Sequence, residues 1–153
     1  MFREATSKDI KAWACLRNSL WPHCSIEQCE KDAAVILNSD RETCFVHVDS
    51  ESQTITGFLE VSTRDYSEGC DSSPVGYLEG IYVEESKRRK GIALGLVESS
   101  YSWMLGKECT EVGSDALLEN EESIEFHKKI GFVEVERQVV FKNKIKANNK
   151  GCI

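Results

Sequence analysis

The sequence predicts an α+β (α/β) fold, one domain built around a single sheet. Segments with strand alternation are interspersed with segments of helical spacing, and one strand–helix–strand unit lies mid-chain. No repeat, low-complexity stretch or linker divides the 153 residues. That length suffices for one core without metal or disulfide staples.

Each element has a local reason. Phe2 to Ala5 reads as a short first strand. Thr6-Ser-Lys-Asp9 has the form of a capping box, and Ile10, Trp13, Ala14, Arg17 and Leu20 then share one helical face until Pro22 ends the run. Ser25-x-x-Gln28 caps a second helix reaching about Leu37. Cys44 to Val48 and Ile55 to Val61 are expected to form a hairpin around the polar turn Asp49 to Gln53. Residues 64–74 are a polar loop, and Val75 to Val83 a fourth strand. Gly91 to Gly106 is helical, Thr110 to Ser114 a short strand, and Glu121 to Ile130 a helix stopped by Gly131. Phe132 to Phe141 alternates as a last strand, and the lysine-rich tail after Lys142 is polar.

Composition narrows the function. A net charge of −7 argues against a nucleic-acid partner and is compatible with a cationic small molecule. No apolar run is long enough to cross a bilayer, and the first residues lack the apolar core of a signal peptide, so a cytoplasmic protein is expected. Seven cysteines without metal-ligand rhythm read as reduced thiols, several of them small core residues, and no metal site is expected.

The strongest chemical signal runs from Tyr82 to Leu96. A strand gives way to the basic turn Lys87-Arg-Arg-Lys90, and Gly91 opens a helix. Such a turn aims backbone N–H groups and the positive end of a helix dipole at one point, which suits a pyrophosphate. Gly91 allows close backbone approach. Glu79 is independently odd, because a carboxylate inside the apolar strand Tyr77-Leu-Glu-Gly-Ile-Tyr-Val83 must be paired or functional.

The spacing Arg88-x-x-Gly91-x-Ala93 resembles the acetyl-CoA loop of the GNAT N-acetyltransferases, although Glu85 stands where a proline is usual. Asn120 to Phe132 resembles a later block of that family, with His127 in the place of a tyrosine that protonates the leaving thiolate. The resemblance spans nearly the whole chain. It implies a mixed, mostly antiparallel central sheet flanked by helices within residues 1–142, a tail at 143–153, and acetyl-CoA as acetyl donor. Cofactor contacts are implied at Ile81, Tyr82, Val83, Arg88, Arg89, Lys90, Gly91, Ile92, Ala93, Leu94, Asn120 and His127. Asn120 is equally suited to cap the helix that follows, and His127 to packing alone.

Gly69 to Val83, with Leu20-Trp-Pro22, Arg64-Asp-Tyr66 and Ser114-Asp-Ala116, resembles the chromosomal aminoglycoside 6′-N-acetyltransferases of bacteria. That resemblance implies a polycationic substrate held by Trp21, Tyr66, Glu79, Asp115 and Glu136, and a homodimer. Glu79 and Asp115 are its catalytic candidates, with Glu79 receiving the amine proton. The alternatives are acetylation of polyamines or protein amines, and an acyl-CoA-binding module without turnover.

Overall fold

A capping box sets the first chain reversal. In the computed structural model, which describes residues 1–147, strand β1 (Phe2–Glu4) leads through a 3-10 turn at Ser7–Asp9 into helix α1 (Ile10–Leu20). The Thr6 N–H donates to the Asp9 carboxylate at 2.7 Å, and Arg3 donates to both its oxygens at 2.7 and 3.0 Å. Arg3 foremost holds the Asp9 carboxyl below its ordinary range. Helix α2 (Ile26–Leu37) begins where Ser25 Oγ accepts the Gln28 N–H at 3.1 Å. Strands β2 (Glu42–Val48) and β3 (Ile55–Arg64) form the expected hairpin. Its turn is held by Asp49, which accepts from the N–H groups of Glu51 and Ser52. Then come β4 (Val75–Val83), α3 (Ile92–Gly106), β5 (Val112–Gly113) and α4 (Glu121–Lys129).

The five strands lie in the order β1-β2-β3-β4-β5, antiparallel throughout except for the parallel pair β4–β5. Strand alternation divides the core between two faces. Cys44, Val46 and Phe58 pack with Trp13, Leu16, Ala33 and Ile36 of α1 and α2. Phe45, Leu59 and Val61 pack with Ile92, Leu96, Val97 and Met104 of α3, and Phe126 of α4 closes over that side. Each large side chain buried here contributes roughly 1.5–3 kcal/mol. No helix is long and apolar enough to cross a membrane among the described residues.

One expectation fails. Phe132 to Phe141 forms no strand; residues 133–147 are neither helical nor paired with the sheet. The adjacent edge is β5, whose two paired residues offer no ladder to continue. Val133, Val139, Val140 and Phe141 are therefore more than 70% exposed, although Val133 and Val135 alternate with Glu134 and Glu136 as in a strand. The tail expected from 143 onward falls partly outside the described residues, as does Cys152.

The face beneath α1 holds a buried charge that helical periodicity alone concealed. Arg17 lies 3.0 Å from the Glu60 carboxylate of β3 and 3.4 Å from Asp32, and Trp13 Nε1 donates to Glu60 at 2.9 Å. Burial pushes the Glu60 carboxyl up to about 7, with Arg17 and the Trp13 hydrogen bond pulling the other way. The unfolded carboxyl titrates at its ordinary value of 4.5, so it releases its proton first as pH rises. The contribution of Glu60 to stability is therefore greatest in acid and falls between those two values. Urea unfolding from about pH 5 to about pH 8 should resolve this fall in the wild type. Glu60→Gln, fixed in the neutral state, should give a flatter profile; an equally steep one would remove Glu60 as its cause.

Candidate active site

A bulge in β4 shapes the centre of the molecule. Glu60 opposes Gly80 and Val61 opposes Leu78, so Glu79 is the extra residue of the bulge. Its side chain is turned outward and is 30% exposed, which is how a carboxylate occupies a central strand. Gly80 permits the neighbouring approach, since a Cβ there would lie 2.6 Å from the Trp21 ring. β5 pairs only with Gly76 and Tyr77. From Leu78 to Val83, β4 has β3 on one side and, among the described residues, no strand on the other, so an edge of backbone N–H and C=O groups runs past Ile81, Tyr82 and Val83.

That edge leads to the basic turn. A 3-10 turn at Glu85–Lys87 follows β4, and Lys87 is anchored to Asp49 at 3.1 Å. Arg88 Nε donates to the Val83 carbonyl at 2.8 Å, and its guanidinium stands 5.4 Å from the Tyr82 ring centroid. Gly91 caps α3 with φ +80°, a conformation that a side chain would strain, and a Cβ there would meet nothing within 4 Å. The first N–H groups of α3, beginning at Ile92, have no acceptor within the helix. Arg88, Arg89, Lys90, Gly91 and Leu94 are exposed around them, Ala93 is half-buried and Ile92 anchors the turn in the core.

On the other side of the edge lies a cleft of about 730 Å³. Tyr66, Asp115, Glu136 and His127 line it together with Arg64, Glu68 and Tyr77. Glu79 reaches it through Arg64, which donates to Glu79 Oε1 at 3.1 Å and Oε2 at 2.8 Å; Ser62 Oγ donates to Oε1 at 2.5 Å. The Arg64 guanidinium also stacks 3.5 Å from the Tyr77 ring centroid, and the Tyr77 hydroxyl donates to Asp115. Burial first, then Asp115, raise the Tyr77 phenol far above its ordinary value. Tyr66 donates to Glu68 at 2.8 Å, and a hydrogen bond with Glu68 raises the Glu136 carboxyl. Trp21 sits apart, lining a second hollow of about 380 Å³ with Arg17, Glu60 and Glu79. Glu79 thus stands between the two hollows.

Two predicted residues have structural partners of their own. Asn120 Oδ1 accepts the Ser123 N–H at 3.1 Å and caps α4. His127 Nδ1–H donates to the Ser123 carbonyl at 2.6 Å, which leaves Nε2 as the acceptor for the Ser114 hydroxyl at 2.7 Å in the neutral ring. Sequence reasoning missed Arg64, Glu68 and Tyr77 as parts of the cleft. Tyr77 reads as one more apolar strand residue, and only its partner across the cleft reveals the polar end.

Residues 10–132 match the model of the acetyltransferase (GNAT) family. The chain belongs to that family. Among its GNAT relatives, an aminoglycoside N(6′)-acetyltransferase type 1 of Serratia marcescens is 38% identical over 88% of this chain and 92% of its own. One from Acinetobacter baumannii is 37% identical over 92% and 95%. A structure of AAC(6′)-Iy with the bisubstrate analogue CoA-S-monomethyl-acetylneamine has a TM-score of 0.89 at 34% identity, covering 95% of this chain and 98% of that one.

The Tyr77–Asp115 bond gives a direct check. Asp115→Asn should bring the ionisation of one tyrosine to lower pH in an ultraviolet titration, because the carboxylate raises that phenol. An unchanged titration would mean that the bond is not formed in solution.

Proposed function

We propose that this chain is an acetyl-CoA-dependent aminoglycoside 6′-N-acetyltransferase that confers resistance by neutralising an ammonium group of the drug. One observation carries the reading: the open edge of β4 runs between a glycine-capped helix N-terminus and a cleft walled by carboxylates. The names of the GNAT relatives supply the acceptor and the position acetylated.

The N–H groups from Gly91 to Leu94 hold the pyrophosphate of acetyl-CoA, with Arg88, Arg89 and Lys90 adding positive charge around it. The pantetheine arm lies along Ile81, Tyr82 and Val83 as an added strand, and the Val83 N–H polarises the thioester carbonyl. Asn120 and His127 close the cofactor side. The aminoglycoside places its ammonium groups against Asp115, Glu136 and Glu79, and its rings against Tyr66 and Trp21.

Attack by the neutral amine on the thioester carbon is direct, with both substrates bound. The amine nitrogen forms the new C–N bond, the C–S bond breaks and CoA leaves as the thiolate. A carboxylate has about four acceptor positions. Arg64 and Ser62 occupy three of those on Glu79, leaving one on Oε2. The amine proton passes there through a water. His127 Nε2 reaches the thiolate only by way of the Ser114 hydroxyl. Orientation of the amine against the thioester supplies much of the rate. Dependence on acetyl-CoA supports a cytoplasmic site of action.

We also propose that the enzyme is a homodimer. The exposed, apolar-rich segment Val133 to Phe141 pairs with no strand in one copy, and a second copy provides an edge for it. Light scattering should give twice the mass of the chain, and charged replacements at Val139 and Phe141 should yield monomer. A monomeric wild type would end this assignment.

The acceptor is tested by CoA thiol release with kanamycin A, which carries a 6′-amine, and paromomycin, which carries a 6′-hydroxyl. Turnover on kanamycin A alone is expected. Turnover on both would place the reaction at another amine, and turnover on neither would transfer the assignment to polyamines or protein amines.

A further inference from the structure

The turn between α1 and α2 and the start of α2 bring together two sulfur atoms that no part of the mechanism uses. Cys24 Sγ and Cys29 Sγ lie 3.3 Å apart, Cys24 half-buried in the turn and Cys29 buried in the first turns of α2. A disulfide needs about 2.05 Å, so bonding requires the sulfurs to close by a little over an ångström. Among the described residues no other pair of thiols lies within hydrogen-bond reach.

We propose that Cys24 and Cys29 form a reversible internal disulfide whose closure shifts the turn carrying Trp21 and weakens acceptor binding. The effect on the acceptor rests on the substrate reading above; the bond itself does not.

Access fixes the order of events. Cys24 faces solvent in part, so its thiolate attacks a small organic disulfide and expels one thiolate of the reagent. Cys29 loses its proton and attacks the Cys24 sulfur, expelling the second. Two protein thiols are oxidised to one disulfide, and the reagent is reduced to two thiols. Burial, with Cys24 next, pushes the Cys29 thiol up to about 11, which suits a resolving group that acts only on a sulfur already in contact.

The turn connects the pair to the acceptor wall. The Cys24 N–H donates to the Trp21 carbonyl at 2.9 Å, and Asn18 Nδ2 donates to the Cys24 carbonyl at 2.7 Å. The Cys24 thiol also contacts Asp32 at 4.0 Å, and Asp32 holds the buried Arg17, which stands 4.9 Å from the Trp21 ring centroid. Closing the disulfide removes the thiol donor from Asp32 and draws the turn toward α2. The Trp21 ring rests on Gly80, one residue from Glu79, so it has little freedom to move without changing that wall.

The test treats the full chain with 2-hydroxyethyl disulfide, blocks remaining thiols, and maps the digest by mass spectrometry. A peptide linking Cys24 to Cys29, lighter by two hydrogens and restored by dithiothreitol, is expected. The KM for kanamycin A should rise about fivefold, the scale of one weakened cation–π contact, with the KM for acetyl-CoA unchanged. Cys24→Ser should keep the untreated kinetics and lose the response. Recovery of separate mixed disulfides, or of the linked peptide with an unchanged acceptor KM, would overturn the proposal. Should the protein acetylate no aminoglycoside, the linkage and a fluorescence change lost in Trp21→Phe decide the matter; no linkage or no such change overturns it.

Discussion

The parting of β4 from β5 after Tyr77 is the constraint on which the rest of the centre depends. A parallel pair continued to Val83 would occupy the backbone groups of Ile81, Tyr82 and Val83 within the sheet. Because β5 stops at Gly113, those groups face a gap instead, and the bulge at Glu79 turns a carboxylate out beside it. The same parting sends β4 toward Gly91 and leaves β5 to deliver Ser114 and Asp115 on the opposite side. One break in a ladder therefore separates the glycine-capped turn from the carboxylate-lined cleft and joins them by a strip of backbone.

The wall manages its own charge. Several carboxylates in and beside one cleft repel one another, and three of them have local donors: Arg64 for Glu79, Tyr77 for Asp115, and Tyr66 for Glu68. Arg64 joins two of these partnerships by stacking on Tyr77. Such contacts hold the carboxylates in fixed positions, and a site ordered in advance needs less ordering on binding. Arg17 and Glu60 lie beneath the same sheet as a buried pair. Asp32 is the second carboxylate at Arg17.

Much of the fold was legible because its signals are local. Thr6 to Asp9, Ser25 to Gln28, the polar turn at Asp49 and the glycines at 91 and 131 each act within a few residues. Their helices and turns lie where those residues require. What escaped depends on contacts across the sheet. Arg17 reads as part of an amphipathic face, and its burial becomes evident only when Glu60 of β3 lies opposite. Glu79 was conspicuous as a charge in an apolar strand, but the bulge and the Arg64 fork are not written in that strand. Phe132 to Phe141 shows the converse: alternation gives a capacity to pair, and a strand also needs an edge. For the site, Tyr66, Asp115 and Glu136 share one cleft, whereas Trp21 and Glu79 line a separate hollow, linked to the cleft through the bond of Glu79 to Arg64.

The central claim is that the gap beside β4 holds the thioester and the amine together, so that the acetyl group passes directly between them. Initial velocities measured while acetyl-CoA and kanamycin A are both varied test it most directly. Intersecting reciprocal plots are expected, because both substrates must be bound before any bond breaks. Parallel plots, with acetyl retained by the protein after CoA departs, would show a covalent acyl-enzyme and contradict the account.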